Sequence, residues 1–283
     1  MTERNYMLNA VAVIAAKELR EGLRNRWAVS ATVILAAVAL TIVLLGSAPT
    51  GLVRISPLSV TVVSLSSLTI FLVPLIALLL SYDALAGEIE RGTMALLLSY
   101  PVSHAQVIAG KFLGHAAILT IATVIGYGAA GVALVFDGNQ VEANAWNAFS
   151  FMVGSSVLLG MAFVALGYLV SATARDPRTA AGIAVGLWLF FAFIYDLALL
   201  GLLVADGGKH IAVSFLNVVL LANPADVYRL LNLTGFSNVS MFAGMTGIAG
   251  QLNVGTSFLL STLIGWTAVP LVLATFVFAR REL

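Results

Sequence analysis

The residues that could do chemistry are few and widely spaced. Histidine occurs only at His104, His115 and His210, and cysteine is absent from all 283 positions. Without Cys there is no disulfide, no thiolate metal ligand and no thiol nucleophile. Glu88 and Glu90-Arg91 place two carboxylates close together, as glutamate-type membrane peptidases do, but that chemistry also needs histidines inside later membrane segments to activate water. The last three apolar segments contain none, and no serine–histidine pairing is evident there. A site for a soft metal would bring Met or His together. Met241 and Met245 stand one helical turn apart with His210 in the same connection, yet methionine at that spacing is more often packing; Met152 and Met161 are too isolated to trace a copper path. The nucleotide question is settled by the G-x-x-x-x-G-K-[ST] pattern, which does not occur: Gly110-Lys111 is followed by Phe112 and Gly208-Lys209 by His210. The expectation is a chain with no catalytic residue, no metal ligand set and no cofactor of its own.

Two charged features stand out against an apolar background. Asp196, beside Tyr195, lies well inside an apolar segment, which makes it a candidate pathway residue facing a cavity or a partner, or else a carboxylate at the lipid interface. The second feature is Tyr82–Ser103, which concentrates Asp83, Glu88, Glu90 and Arg91 between two long apolar segments. Charge is costly in lipid, so this stretch must lie in water at one membrane face. Its first half reads as helix. Arg91-Gly92-Thr93 then offers a flexible glycine and a hydroxyl able to cap a second helix over Met94 to Leu98, which Pro101 ends. Two short helices with a bend make a knob that can dock into a groove on a soluble partner.

The elements that position these residues follow from composition. Sixty per cent of the chain is hydrophobic and 10% charged, with a mean hydropathy of +1.03, which describes an all-α polytopic membrane protein. A net charge of +1 gives no electrostatic reason to expect nucleic acid. The N-terminus lacks a signal-peptide pattern. Six segments reach the roughly 20 residues a helix needs to cross a bilayer: Ala28–Gly46, Val60–Ser81, Ile108–Phe136, Phe149–Ala174, Ala180–Ala205 and Ser257–Ala279. Ahead of them, Ala12, Ala16, Leu19, Leu23 and Trp27 fall on one helical face and Lys17, Glu18, Glu21 and Arg24 elsewhere, the pattern of an in-plane amphipathic helix with Trp27 at headgroup level. This divides the chain into residues 1–27, an interfacial helix, and 28–283, a six-span domain with the charged region at 82–103 and a long connection at 206–256.

Orientation follows from Lys and Arg. Arg4, Lys17, Arg20, Arg24, Arg26, Arg91, Lys111, Arg175, Arg178, Arg280 and Arg281 flank one face, against Arg54, Lys209 and Arg229 on the other. Both termini, the knob and the Ala174–Thr179 turn are therefore expected in the cytoplasm. On the outer side the loops at Ser47–Ser59 and Asp137–Asn147 are short, whereas a connection as long as 206–256 usually has internal structure. Its apolar run Ile211–Leu221, helical Val227–Leu233 and glycine-rich Phe242–Gly250 suggest a re-entrant or surface-lying hairpin. Gly182 and Gly186 in the fifth span, and Gly126, Gly128 and Gly131 in the third, are small-residue faces suited to close helix packing.

Taken together, these features resemble the ABC-2 type permeases over essentially the whole chain. The most specific pieces are Lys17-Glu18-Leu19-Arg20-Glu21-Gly22-Leu23-Arg24-Asn25-Arg26-Trp27 and Glu88-Ile89-Glu90-Arg91-Gly92-Thr93-Met94-Ala95-Leu96-Leu97-Leu98-Ser99-Tyr100-Pro101-Val102-Ser103. The resemblance implies that the first is the family's elbow helix, with Lys17, Arg20, Arg24, Arg26 and Trp27 at the interface. It makes the second the region that couples to an ATPase, through Asp83, Glu88, Glu90, Arg91, Gly92 and Thr93. His104 departs from the arginine common at that place in relatives. Within the family the likeness is to permeases that support assembly of the copper centres of nitrous oxide reductase. That implies a separate cytoplasmic ATPase binding ATP and Mg, a periplasmic protein partner, a second copy of the chain and residence in a bacterial inner membrane. What would cross is a sulfur species, or only motion is transmitted; the alternative is an exporter of a hydrophobic small molecule or lipid.

Overall fold

In lipid every backbone N–H and C=O must find a partner within its own segment, so apolar stretches of this length become helices. The computed structural model describes residues 3–24, 26–45, 57–136, 143–206, 213–233 and 255–281, and every regular element among them is a helix. In chain order these are α1 (Glu3–Arg24), α2 (Arg26–Leu45), α3 (Pro57–Ser81), α4 (Ala86–Glu90), α5 (Thr93–Leu98), α6 (His104–Phe136) and α7 (Ala143–Thr173). They continue with α8 (Pro177–Leu189), a π-helical turn (Phe190–Ile194), α9 (Tyr195–Asp206), α10 (Val213–Leu221), α11 (Pro224–Leu233) and α12 (Thr256–Ala279). Five stretches are long and apolar enough to cross a membrane, namely Thr61–Glu90, His104–Phe136, Trp146–Thr173, Pro177–Asp206 and Thr256–Ala279. The bent pair of α1 and α2, meeting at 64°, supplies a sixth if counted as one span. The parts of the outer loops within 46–56 and 137–142 lie outside the described residues, as do 207–212 and 234–254 of the long connection, including His210, Met241 and Met245.

α7 is the central helix, packed on α3, α6, α11 and α12, while α6 carries α1 and α2 on its other side. Close approach is set by glycines at the crossings. A methyl on Gly110 or Gly114 of α6 would lie 3.0 Å from the carbonyl oxygens of Val11 and Ala15 of α1, and a methyl on Gly126 would strike Leu35 of α2. Gly160 and Gly167 do the same for α7, receiving Leu119 of α6 and Ser81 of α3. Without them the helices would have to separate.

The face that α1 buries is not its apolar stripe. Ile14 and Glu18 are buried against α6, whereas Ala12, Ala16 and Leu23 are exposed. Lipid tails are as apolar as leucine, so an apolar stripe on such a helix can face outward while the polar Glu18 turns in. The fifth span is continuous but locally widened by the π turn between α8 and α9. The turn from α7 to α8 is fixed by Asp176, whose carboxylate accepts bonds from the N–H groups of Arg178 and Thr179 at 2.9 Å, with Pro177 opening the helix. Those bonds hold the Asp176 carboxyl below its ordinary range. Arg281 donates to the carbonyls of Ala172 and Arg175 at the end of α7, tying the last described residue to the same end of the bundle.

Candidate functional site

The knob is an extension of α3. Backbone bonds from Tyr82 N to Leu78 O, Gly87 N to Asp83 O and Ile89 N to Leu85 O carry the helical pattern through the turn into α4. The first N–H groups of a new helix lack intrahelical partners. Here the Ser171 hydroxyl of α7 accepts from Leu85 N at 2.9 Å and Ala86 N at 3.0 Å. Gly92 then adopts φ +72°, a left-handed conformation open to glycine, and reverses the chain into α5. Thr93 does not cap α5; its hydroxyl donates back to the Glu88 carbonyl at 3.2 Å, stitching the two short helices together, and the residue before α5 makes no side-chain cap. α6 is opened by a reciprocal capping box in which Ser103 N donates to Gln106 Oε1 at 2.7 Å and Gln106 N to Ser103 Oγ at 3.2 Å. Leu85 and Met94 anchor the knob in the core, while Glu90, Arg91, Gly92, Thr93, Leu96 and Tyr100 face outward.

Beneath this surface lies a buried charge cluster. Lys111 of α6, 2% exposed, donates to Glu18 Oε1 of α1 at 2.7 Å and to Glu88 Oε1 of α4 at 2.8 Å. Lys17 adds a more exposed ammonium 3.5 Å from Glu88 Oε1, 3.4 Å from Glu18 Oε1 and 3.5 Å from Glu21. On the inner side His115 Nδ1 is 2.6 Å from the Tyr168 hydroxyl of α7, and its Nε2 is 3.9 Å from Glu18 Oε2. Burial pushes the Glu18 carboxyl up, but the Lys111 ammonium and its hydrogen bond outweigh this and leave it below the ordinary carboxylate range. Burial likewise depresses the Lys17 ammonium, and Glu18, Glu88 and Glu21 more than offset it. One ammonium thus joins three elements, α1, α4 and α6, so that displacing the knob must either move α1 and α6 or break a buried ion pair.

The expected site residues therefore divide. Lys17 and Glu88 enter the cluster, with Glu88 turned inward rather than toward a partner. Glu90, Arg91, Gly92 and Thr93 form the exposed face, and Asp83 is half-buried beside Gly87, to which Arg91 also extends. Arg20 and Arg24 of α1 and Arg26 at the start of α2 are exposed; the side chain of Trp27 lies outside the described residues. Glu18, Lys111, His115 and Ser171 were not singled out as site residues from the sequence. The available signal was Gly110-x-x-x-Gly114 around Lys111, a small-residue spacing that brings α1 against α6.

A second polar cluster holds the α10–α11 hairpin. Arg229 of α11 bonds Asp196 of α9 at 2.8 Å and Asp226 at 2.5 Å. The turn dips to the middle of the helix layer, where Asn223 opens α11 by accepting from Ala225 N at 2.9 Å and donates to the Phe191 carbonyl in the π turn at 3.1 Å. The last carbonyls of α10 are also met, Val219 O by the Tyr195 hydroxyl at 2.6 Å and Leu221 O by the Trp266 indole at 3.0 Å. Asp196 is thus a paired carboxylate at the base of the hairpin. A methyl on Gly182 or Gly186 would meet nothing within 4 Å among the described residues.

A helical membrane domain with a surface knob tied to α1 and α6 is the architecture of a transporter's membrane subunit. The chain belongs to the ABC-2 family of transporter proteins, whose family model matches residues 12–283. It is 45% identical over 274 residues to a Pseudomonas aeruginosa protein described as "Probable ABC transporter permease protein NosY", covering 96% of this chain and 99% of that one. A Stutzerimonas stutzeri protein of the same description is 42% identical over 276 residues, covering 97% and 99%. The chain is a permease subunit of an ABC transporter, and an ATPase partner follows from that class.

Proposed function

We propose that this permease serves maturation of the copper centres of nitrous oxide reductase, and so denitrification, by coupling ATP hydrolysis on a separate cytoplasmic ATPase to an event across the bacterial inner membrane. The NosY description of its relatives supports the assignment. The observation that carries the mechanism is the Glu88–Lys111–Glu18 bridge, because it links an exposed knob to α1 and α6. In this reading a NosF-like ATPase, with its own ATP and Mg, grips Glu90, Arg91 and the apolar Leu96 and Tyr100. Closure of two ATPases then moves two copies of the chain, which meet through the Gly182 and Gly186 face. Both termini lie in the cytoplasm, and the α10–α11 hairpin side faces a periplasmic NosD-like partner. The output is passage of a sulfur species or motion delivered to that partner.

The experiment is co-purification of the detergent-solubilised chain with its operon partners, with ATPase activity measured on the complex, for wild type and for Glu90→Ala/Arg91→Ala. Wild type should retain an ATPase and a periplasmic protein, and the variant should reach the membrane yet lose the ATPase and mature reductase. Full reductase maturation in the variant would refute the coupling role. An ATPase without a periplasmic partner would favour an exporter of a hydrophobic small molecule or lipid.

A further inference from the structure

A group of uncharged polar side chains lies buried inside the bundle. Thr69 Oγ1 of α3 is 2.7 Å from the Tyr127 hydroxyl of α6, and Ser156 Oγ of α7 is 3.0 Å from the Tyr228 hydroxyl of α11. All these residues are at most 4% exposed. Thr69 and Ser156 satisfy themselves in part by donating to the carbonyl four residues earlier. Among the described residues, Ser66 Oγ, one turn before Thr69 on α3, and Thr123 Oγ1, one turn before Tyr127 on the same face of α6, make no hydrogen bond. A buried hydroxyl without a partner is costly, and such groups in native proteins mark an ordered water or a ligand.

We propose that this hydroxyl cluster is an internal binding site within a single protomer for small uncharged hydrogen-bonding molecules, water among them, and that it excludes ions. Each hydroxyl both donates and accepts, so the cluster suits a molecule that does both. None of its side chains carries a charge, and an ion stripped of water there would have no counter-charge. The nearest charges are engaged with one another: Arg229, next to Tyr228 in the chain, pairs with Asp196 and Asp226, and Asp226 lies close to the opposite side of α11 from Tyr228. Lys111 is about 24 Å along α6 from Tyr127 at 1.5 Å per residue. The re-entrant hairpin agrees, since non-helical backbone at membrane depth occurs where it is buried in protein or lines a hydrated cavity. The proposal is independent of how the knob is used.

The natural chain has no cysteine, so single substitutions report without background. Ser66→Cys and Thr123→Cys, in the full-length chain in membranes, are reacted with neutral methyl methanethiosulfonate beside two controls. These are Leu65→Cys, buried on the same helix, and Val124→Cys, exposed on the apolar surface of α6. Thiolate is the reactive species and needs a hydrated site, so either test position should react at least about tenfold faster than both controls. Neither position exceeding the controls would overturn the proposal. The trimethylammonium analogue reacting as fast as the neutral reagent would overturn the exclusion of ions.

Discussion

The Lys111 ammonium lies 2.8 Å from the Glu88 carboxylate, joining the first turn of the knob to α6 from inside the protein. Glu88 belongs by position to the surface segment Tyr82–Ser103, but by contact to the core. The segment is therefore a two-sided part, with an inner row fixed to the bundle and an outer row exposed.

Lys111→Met should separate these functions. It leaves Glu18 and Glu88, each about nine-tenths buried, with only the half-exposed Lys17 ammonium beside them. Removing one partner of such a buried arrangement costs about 3–5 kcal/mol. Thermal unfolding in detergent should drop accordingly, and adding Glu18→Gln should recover part of the loss. An unchanged unfolding temperature for Lys111→Met would mean that the cluster holds nothing together.

Ser171→Ala tests the cap on α4. The change removes the acceptor for two buried N–H groups, of Leu85 and Ala86, at a cost of about 1–3 kcal/mol. The loosened helix should show faster amide exchange at residues 85–90 with little change in α12. Equal exchange in both proteins would assign the capping elsewhere.

Arg229 is the corresponding joint of the hairpin. Arg229→Met abandons two carboxylates, but its partial exposure tempers the loss to about 3 kcal/mol. Arg229→Lys keeps the charge and loses the planar fork that reaches Asp196 and Asp226 together. The expected order of thermal stability is wild type, then Lys, then Met; Lys equal to wild type would show that charge alone suffices.

These joints explain what was legible in the sequence. Long apolar runs read directly as helices because lipid leaves the backbone no alternative, and Gly92 read as the bend because a left-handed residue needs glycine. Which face of α1 is inner did not follow from periodicity. Apolar Ala12, Ala16 and Leu23 are as content against lipid as against protein, so Glu18 became the buried residue, and its partner Lys111 stands 93 residues away. Asp196 was visible as an anomaly in its span, but Arg229 reaches it only through the α10–α11 turn, 33 residues further along the chain. The π turn at Phe190–Ile194 had no local signal either, since its Phe191 carbonyl is met by Asn223 from another element.

Acid should weaken the grip of α1 on α6, and the sign can be worked out from Glu18. Its carboxyl sits below the ordinary value of 4.5 because, against the opposing effect of burial, Lys111 favours the charged form in the folded protein. A group depressed on folding contributes stability that is fully present above its unfolded value and is lost as pH falls through its folded value. The contribution is therefore complete at pH 7 and fades below about pH 4.5. Wild type and Glu18→Gln, compared by thermal unfolding in detergent, should differ most at neutral pH and converge as the solution is acidified. Curves that stay parallel across that window would show that the Glu18 charge contributes nothing, and that α1 is held on α6 by the Gly110 and Gly114 contacts alone.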